Sequence, residues 1–200
     1  MIPEAAVYVV DDDDSVRKSL ARLIRSVGLH VETFPSAQAF LEAPPTDCPS
    51  CLILDLRLPG ASGLELQTAL GAAGRILPII FISGVATVPA SVRAMKGGAL
   101  DFLQKPFDEA ELLDRIRQAL TRSHEARAER GQRAAIQGRL DALTPRERQV
   151  LDLVVTGKLN KQIAAQLGAA EKTIKIHRGR VMRKMQADSV ADLVRMMHKL

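Results

Sequence analysis

The chain contains few aromatic residues, few cysteines and no hydrophobic run long enough to cross a membrane. Aromatic residues make up 3% of the sequence and tryptophan is absent, so stacking on unpaired nucleic-acid bases is a poor hypothesis. The first four residues, Met1–Glu4, show neither a charged leader nor an apolar signal segment. We therefore expect a cytoplasmic protein without a membrane partner. The balance of 46% apolar and 26% charged residues indicates a globular fold.

The two cysteines, Cys48 and Cys51, form a Cys-Pro-Ser-Cys sequence. A zinc site would need a second pair or a histidine nearby, and the sequence offers neither. A redox dithiol usually opens a helix, whereas these thiols flank the start of a predicted strand. We expect two reduced cysteines at a junction between a loop and a strand.

Positive charge is concentrated in the last third of the chain. Residues 140–200 carry 12 Lys or Arg and 6 Asp or Glu, whereas the remainder carries 16 and 17. This excess predicts that the C-terminal region meets a polyanion. A solvated basic face would give the same count, so charge alone does not decide between the two interpretations.

Short apolar segments alternate with amphipathic ones along the first 122 residues. Strands are predicted near residues 5–10, 30–34, 51–55, 78–82 and 100–104. Helices are predicted at 14–27, 36–43, 63–73, 88–97 and 108–122. The alternation predicts a doubly wound α/β domain with a five-stranded parallel sheet. In its expected order, 2-1-3-4-5, strands one and three are neighbours at the edge where ligands bind.

A polar segment, residues 123–139, separates the predicted α/β domain of residues 1–122 from a second domain of residues 140–200. It contains almost no large apolar side chains, which predicts a linker. We expect this linker to be partly helical and to continue the fifth helix, with Gly131 and Gly138 limiting its length.

The second domain shows no strand pattern and is predicted to be all-helical. Thr144 and Glu147 have the spacing of a capping box, with Pro145 at the first helical position. Gly168 separates a helix at 160–167 from the next helix of the domain. Short helices joined by a tight glycine turn predict a helix-turn-helix.

The third helix of this domain, residues 171–185, is strongly basic. Its basic residues are Lys172, Lys175, Arg178, Arg180, Arg183 and Lys184. Ile174, Val181 and Met185 would face inward and leave these side chains toward solvent or phosphate. A helix in a major groove reads bases with its N-terminal half, while flanking cations hold the backbone. We assign Lys172, Lys175 and Arg178 to the face that reads bases or adjoins it. We expect Arg183 and Lys184 to contact phosphate or solvent.

Polar side chains occur where four predicted strands end. Asp11 and Asp12 follow the first strand, Asp55 ends the third, Ser83 follows the fourth and Lys105 follows the fifth. Clustered carboxylates repel one another unless a cation neutralises them, and hard oxygen ligands suit Mg²⁺. The ammonium and the hydroxyl are suited to bind the oxygens of a phosphoryl group. The pattern predicts that Asp55 is a nucleophile that forms an acyl phosphate.

Acidic residues at helix starts also have a structural explanation, because a helix N-terminus favours negative charge. We expect Asp13 and Asp14 to act in that way, as the first turn of the first helix. The full ordered set at four strand ends is much harder to obtain by chance than an acidic pair.

Short motifs surround these strand ends. They are Val10-Asp11-Asp12, Asp55-Leu56-Arg57-Leu58-Pro59 with Gly63, Ser83-Gly84 and Lys105-Pro106-Phe107. Together they resemble the receiver domain of two-component response regulators. Three further segments resemble the FixJ/NarL family, and FixJ most closely. These segments are Val16-Arg17-Lys18-Ser19-Leu20, Ser36-Ala37-Gln38-Ala39-Phe40-Leu41 and Ala94-Met95-Lys96-Gly97-Gly98-Ala99.

The resemblance implies a phosphoacceptor at Asp55, which would receive phosphate from a phosphohistidine of a sensor histidine kinase. It implies that Asp12, Asp55 and the backbone carbonyl of Arg57 hold Mg²⁺, with Asp11 acting largely through water. The protein would not be an enzyme beyond self-phosphorylation and self-dephosphorylation. Leu58 departs from the family, in which methionine is usual at this position.

The resemblance also implies a conformational switch. Ser83 and Lys105 would move toward the phosphoryl group, and Phe102 matches the aromatic residue that rotates inward on activation. The face of helix four and strand five would then form a homodimer. The bond between Lys105 and Pro106 is cis in the family. The loop Val85-Ala86-Thr87 departs from the Gly- and Asp-rich pattern.

Residues 140–200 resemble the LuxR-type helix-turn-helix. The matching stretches are Leu143-Thr144-Pro145-Arg146-Glu147-Arg148-Gln149-Val150-Leu151, Asn160-Lys161-Gln162-Ile163-Ala164, Leu167-Gly168 and Thr173-Ile174-Lys175-Ile176-His177-Arg178. The resemblance implies binding to double-stranded DNA. The expected DNA-binding residues are Asn160, Lys161, Lys172, Thr173, Lys175, Arg178, Arg183 and Lys184.

Three details of this domain carry separate expectations. Leu159 and Ala170 stand where serine caps are usual, so both helix starts lack a side-chain cap. Asn160 is expected to substitute in part for the first of these caps. His177 is expected to be packed and hydrogen-bonded rather than a metal ligand.

The hypothesis that joins these observations is a phosphorylation-activated DNA-binding transcription regulator, with RNA polymerase as a further partner. Residues 189–198 would pair two DNA-binding domains. One alternative is an aspartyl-phosphate hydrolase, although such enzymes need a second Asp where this chain has Arg57. Another is a constitutive DNA binder whose receiver only mediates protein contacts. A flavin protein is disfavoured, because no phosphate-binding Gly/Ser/Thr loop follows the first strand.

Overall fold

The computed structural model describes residues 5–44, 46–85 and 87–200. Met1–Glu4, on which the expectation about a leader rests, and Ala86 of the loop after Ser83 lie outside the described residues. The chain divides into two compact units, Met1–Arg127 and Ala128–Leu200. Among the helices of the described ranges, none is both long enough and apolar enough to span a bilayer.

The first unit contains a parallel five-stranded sheet. Its strands are β1 (Ala6–Val10), β2 (His30–Phe34), β3 (Ser50–Asp55), β4 (Ile79–Ser83) and β5 (Asp101–Gln104). The order β2-β1-β3-β4-β5 confirms the predicted topology. Val10 pairs with Leu54 across β1 and β3, so both strands end at the same level of the sheet.

Helices cover both faces of this sheet. They are α1 (Asp14–Ser26), α2 (Ala37–Glu42), α3 (Gly63–Ala72), α4 (Val88–Lys96) and α5 (Glu109–Asp141). Val7 and Val9 pack on the face that buries α1 and α5. Tyr8 and Val10 pack on the opposite face, against α2, α3 and α4. Burial of both faces explains why the strands are nearly continuous apolar runs.

The segment expected to be a partly helical linker is helical throughout. α5 continues through residues 123–139, and neither Gly131 nor Gly138 ends it. A glycine inside a helix costs only about 1 kcal/mol relative to alanine. Burial of Ile136 and Leu140 in the core of the second unit offsets such a cost.

The second unit is all-helical. After the end of α5 it contains α6 (Pro145–Val154), α7 (Asn160–Leu167), α8 (Glu171–Met185) and α9 (Val190–His198). Gly168 ends α7 in the left-handed conformation, with φ 61°, which confirms the predicted glycine turn. Ile163, Ile174 and Leu193 are fully buried in one core shared by α7, α8 and α9.

The caps of the second unit follow the prediction in one place and depart from it in another. Thr144 and Glu147 form both halves of the predicted capping box. At the start of α7, Leu159 provides no side-chain cap, as expected. The expectation that Asn160 substitutes for it is wrong. Instead, the side-chain oxygen of Gln162 accepts a hydrogen bond from the backbone N–H of Leu159 at 2.8 Å.

Both cysteines are free thiols, as expected. Cys48 is half-buried in the loop before β3, and Cys51 lies fully buried within that strand. Burial raises the pKa of the Cys51 thiol to about 12, because the thiolate would lose its hydration. A thiol with this pKa is unreactive at neutral pH.

Gly63 allows the start of α3 to pass close to the end of β3. A Cβ atom at this position would lie 2.4 Å from the backbone oxygen of Asp55 and 3.0 Å from Cε1 of Phe81. The backbone N–H of Gly63 also donates to the carbonyl of Leu56 at 3.1 Å. A side chain here would therefore push against the backbone of Asp55 itself.

We predict that Gly63→Ala destabilises the first unit by about 1–3 kcal/mol, because an overpacked side chain must displace its neighbours. Gly71→Ala in the same helix is the matched control, since nothing lies within 4 Å of a Cβ at Gly71. That control should stabilise the first unit by about 0.5–1 kcal/mol, because alanine favours the helix more than glycine does. Hydrogen exchange of the β3 and β4 amides measures both effects, and equal exchange in the two variants would contradict the steric explanation.

Candidate functional site

Asp11 and Asp55 emerge side by side from β1 and β3. Their preceding residues, Val10 and Leu54, are register partners in the sheet. Asp11 is 1% exposed and Asp55 is 7% exposed. Two buried carboxylates are costly unless cations or hydrogen-bond donors compensate them. The sheet thus creates a concentration of negative charge that needs a partner.

Lys105 supplies that partner from the residue after β5. Its Nζ donates to Asp11 Oδ2 at 2.7 Å and to Asp55 Oδ1 at 2.8 Å. The peptide bond that follows it, to Pro106, is cis as expected. Burial alone would lower the pKa of Lys105, but the hydrogen bonds and charges of the two carboxylates outweigh it and raise the pKa above 10.5. Lys105 is therefore a cation at neutral pH.

Backbone N–H groups orient the remaining oxygen of each carboxylate. Asp11 Oδ1 accepts from the N–H of Asp13 at 2.9 Å, and Asp55 Oδ2 accepts from the N–H of Arg57 at 2.6 Å. Each bond joins a side chain to the backbone two residues further on, as in an Asx turn. Each carboxylate therefore presents its other oxygen to the Lys105 ammonium.

The predicted switch residues lie next to this pair. Ser83 is buried, and its Oγ donates to the carbonyl of Val85 at 3.1 Å and accepts from the N–H of Val85 at 3.3 Å. Phe102 is half-buried on β5 and stacks on Phe81, with 6.3 Å between ring centroids. The Ser83 hydroxyl is thus engaged with its own loop.

The acidic residues that follow Asp11 have separate positions. Asp12 is exposed. Asp13 caps α1 by accepting from the N–H groups of Ser15 and Val16, so it precedes the helix rather than forming part of its first turn. Asp14 is the first helical residue, as expected, and it pairs with Lys18 at 2.6 Å.

The predicted Mg²⁺ site stays a prediction. Its expected ligands are Asp11, Asp12, Asp55 and the Arg57 carbonyl. In the described part of the chain, no group of three or more His, Cys, Asp or Glu residues is placed to hold a metal ion. The donor chemistry still fits Mg²⁺, because carboxylate and carbonyl oxygens together with water are the ligands it prefers. Two of the predicted carboxylates, Asp11 and Asp55, are already together around one cation.

The basic helix α8 shows the predicted division between its inner and outer faces. Ile174, Val181 and Met185 are fully buried. The predicted DNA-binding residues that are exposed on α7 and α8 are Lys161, Lys172, Thr173, Lys175, Arg183 and Lys184. The surface of the helix-turn-helix therefore presents a cluster of cations.

Two of the predicted DNA-binding residues bond to each other. Arg178 on α8 donates from Nη1 to the side-chain oxygen of Asn160 at the start of α7, at 3.0 Å. Both side chains are half-buried. The neighbouring His177 is packed, as expected. The expectation that it is hydrogen-bonded is wrong at its Nδ1 atom. That atom is buried and has no hydrogen-bond partner in the described structure.

Lys184 is held within the second unit. Its Nζ donates to Glu147 Oε2 at 2.7 Å and to the carbonyl of Ala142 at 3.0 Å. Glu147 is 2% exposed. The Lys184 ammonium and the N–H of Thr144 lower the pKa of Glu147 to about 2. The pair thus connects the capping box of α6 to the last turn of α8.

Two families match the chain along most of its length. The family described as the response regulator receiver domain matches residues 7–117, and the one described as bacterial regulatory proteins of the luxR family matches residues 141–197. The chain belongs to the response regulator family. It is a two-component transcription regulator with a receiver domain and a LuxR-type helix-turn-helix domain.

Several relatives are similar to this chain along almost its whole length. Nodulation protein W of Bradyrhizobium diazoefficiens is 51% identical over 197 residues, which cover 98% of this chain and 87% of that protein. Transcriptional regulatory protein FixJ of Azorhizobium caulinodans is 45% identical over 98% of this chain and 93% of its own. The structure of response regulator StyR aligns with a TM-score of 0.90 and 47% identity, covering 98% of this chain and 100% of that one.

Sequence reasoning missed several contacts in this response regulator. Glu147 was assigned only to a cap and Lys184 only to DNA or solvent, because the two residues lie 37 positions apart. The contact of Arg17 with the backbone of Asp11 was also missed. A basic residue soon after an acidic strand end is a weak signal of such a contact, since most basic residues on helices face solvent.

We predict that Glu147→Gln destabilises the second unit by about 1–2 kcal/mol at pH 7, because the buried acceptor of the Lys184 bond loses its negative charge and charge-assisted bonds are about twice as strong as neutral ones. The pKa of about 2 is below the ordinary value of 4.5, so the charge stabilises the fold above about pH 4.5 and this contribution is lost as the pH falls toward 2. The difference between wild type and variant should shrink over that range.

Urea titration followed by the NMR amide signals of α6 and α8 measures this difference. Asp152→Asn is the control, because its pair with Arg148 is longer, at 3.4 Å, and exposed. That change should cost less than about 1 kcal/mol. A Glu147→Gln effect that stays constant between pH 7 and pH 2.5 would show that ionisation of Glu147 does not matter.

Proposed function

We propose that this response regulator is activated by phosphorylation, with Asp55 accepting a phosphoryl group from a sensor histidine kinase. The observation that carries the proposal is the Lys105 ammonium, at 2.7 Å from Asp11 and 2.8 Å from Asp55. It sits beside a buried carboxylate that ends a central strand. An acceptor carboxylate next to a fixed cation is the arrangement that phosphoryl transfer requires.

In the proposed reaction, an Asp55 oxygen attacks the phosphorus of a phosphohistidine. The new P–O bond forms as the P–N bond breaks, and the imidazole leaves with the bonding electron pair and takes up a proton. Lys105 can exchange its contact with Asp55 for one with a phosphoryl oxygen while it keeps its contact with Asp11. Charge-assisted bonds of this kind are about twice as strong as neutral ones.

Mg²⁺, when bound, would offset the negative charge of the carboxylates and the phosphoryl oxygens. Asp12, Asp55 and the backbone carbonyl of Arg57 would hold it, and Asp11 would act through water. Arg57 also occupies the position where aspartyl-phosphate hydrolases carry their general acid. We therefore propose a stoichiometric phosphoacceptor rather than an enzyme that turns over phosphate esters.

The switch would begin at Ser83. Its hydroxyl bonds to Val85, and a phosphoryl oxygen would be a stronger acceptor because it is charged. A move of Ser83 toward Asp55 would free the loop at Val85, and Phe102 would fill the space. A change in population from 1:99 to 99:1 needs roughly 5.5 kcal/mol of differential interaction.

The face of α4 and β5 is the proposed dimer surface. Val88, Val92 and Met95 are exposed apolar side chains on α4, which supports an interface between two copies. Residues 189–198 would pair the two DNA-binding domains. The two α8 helices would then meet half-sites about one helical turn apart on DNA.

Contacts with DNA would come from exposed residues of α7 and α8. Lys172, Thr173 and Lys175 would approach base edges, while Lys161 and Arg183 would contact phosphates. The bond to Asn160 would hold Arg178 ready at the edge of this surface. Lys184 is bound to Glu147, so its ammonium would not contact DNA. RNA polymerase remains a proposed partner and the cytoplasm the proposed location.

We expect Asp55→Asn to abolish phosphoryl uptake from acetyl phosphate, because the amide is not a nucleophile of comparable strength. Glu42→Gln is the control, since Glu42 is an exposed acid on α2 that bonds to Gln38 and lies outside the proposed set. Radiolabel incorporation per chain measures both variants. Full labelling of Asp55→Asn would refute the assigned acceptor, and continuous hydrolysis of a phosphate ester by the wild type would favour the hydrolase.

We expect the logarithm of the association constant of the beryllofluoride-treated protein for a mixed-sequence duplex to fall linearly with the logarithm of salt concentration. Lys175→Ala should weaken binding and reduce the slope by about 1 if the ammonium contacts phosphate. Lys199→Ala is the control, because Lys199 follows α9 and bonds to Gln132. Fluorescence anisotropy measures all three proteins. A flat salt response would reject the proposed DNA surface.

A further inference from the structure

Arg17 reaches back from the first turns of α1 to the strand end that carries Asp11. Its Nη1 donates to the backbone carbonyl of Asp11 at 2.8 Å, and its Nη2 bonds to Asp14 Oδ1 at 3.1 Å. The Arg17 side chain is 14% exposed, whereas that of the adjacent Lys18 is 74% exposed. Arg17 is therefore packed over this turn, and Lys18 extends into solvent.

The turn from Asp11 to Asp13 is held from several directions. The Asp11 carboxylate accepts from the N–H of Asp13 at 2.9 Å, and Asp13 Oδ1 accepts from the N–H of Ser15 at 2.8 Å. Within the described residues, Arg17 makes the only side-chain hydrogen bond to the Asp11 carbonyl. Asp12 lies inside this turn, so its backbone position depends on these bonds.

We propose that Arg17 is a positioning residue for Mg²⁺ binding: by fixing the Asp11 carbonyl it keeps the Asp12 backbone close to the end of β3. This inference rests on the proposed phosphoacceptor function. Carboxylates around an acidic site repel one another, and a loose turn would let Asp12 move away from Asp55. The planar guanidinium bonds the Asp11 carbonyl and the Asp14 carboxylate at the same time, which a single ammonium does less well.

If Arg17 acts only through its charge, removing it changes Mg²⁺ affinity in the opposite direction from the change expected if it positions the Asp11 backbone. Arg17 and Lys18 carry the same charge on the same turn, and both contact Asp14. As positive charges they repel Mg²⁺, so removal of either charge would leave the affinity unchanged or increase it. Loss of positioning would decrease the affinity, and only Arg17 contacts the Asp11 backbone. The sign of the change therefore separates the two effects.

Isothermal titration with Mg²⁺ tests the inference on the full chain. Arg17→Met should weaken Mg²⁺ binding about tenfold, which is the low end for loss of a residue that supports metal ligands. Lys18→Met, the matched control, should stay within about twofold of wild type or bind more tightly. Arg17→Lys keeps the charge but loses the planar guanidinium that makes two bonds at once. Its Mg²⁺ affinity should therefore lie between those of wild type and Arg17→Met.

A second readout separates positioning from loss of folded protein. The Mg²⁺ concentration for half-maximal phosphoryl uptake from acetyl phosphate should rise in Arg17→Met by the same factor as the dissociation constant. The maximal rate at saturating Mg²⁺ should return to the wild-type value. A lower binding stoichiometry with an unchanged dissociation constant would show a folding defect instead and overturn the inference.

Failure of the role of Arg17 can be distinguished from failure of the proposed phosphoacceptor function. Equal Mg²⁺ affinity in Arg17→Met and Lys18→Met, in a wild type that binds Mg²⁺ and accepts phosphoryl, would overturn the role of Arg17 and leave the proposed function intact. A wild type that accepts no phosphoryl group would remove the proposed function and the inference with it. Wild-type affinity in Arg17→Lys would overturn the need for the guanidinium fork.

Discussion

The Lys105 ammonium between Asp11 and Asp55 is the interaction on which the receiver site depends. The sheet brings two buried carboxylates to the ends of adjacent strands, and this arrangement is stable only with a compensating charge. Lys105 provides the charge from a third strand, so one ion network joins β1, β3 and β5. The same cation is suited to receive a phosphoryl oxygen, which links the stability of the site to its chemistry.

A second buried acid, Glu147, shows how the same pairing is used for structure alone. Lys184 bonds to Glu147 and to the Ala142 carbonyl, and Glu147 also completes the cap of Thr144. All of these bonds lie within the second unit. In the receiver, by contrast, Lys105 lies between the carboxylates of Asp11 and Asp55, and the next residue after Asp11, Asp12, is an exposed acid. Surroundings, more than residue type, distinguish the proposed phosphoacceptor Asp55 from the structural acid Glu147.

Local patterns predicted most of the fold. Alternating apolar and amphipathic segments indicated the five strands and their helices, and glycine and capping signals indicated α6 and the turn after α7. Two of the failures depended on contacts with distant residues. α5 runs through two glycines where Ile136 becomes buried, and Asn160 bonds to Arg178 rather than to its own helix end.

The chemical groups that this response regulator uses can be recognised from the order of its residues. Carboxylates, a hydroxyl and an ammonium follow predicted strands, and cations are concentrated on one C-terminal helix. Which of these groups meet depends on the folded arrangement. Lys105 lies 94 residues from Asp11 and Lys184 lies 37 residues from Glu147. Periodicity reports which face of an element is buried, but pairing across such separations depends on strand order, register and packing, which no local pattern encodes.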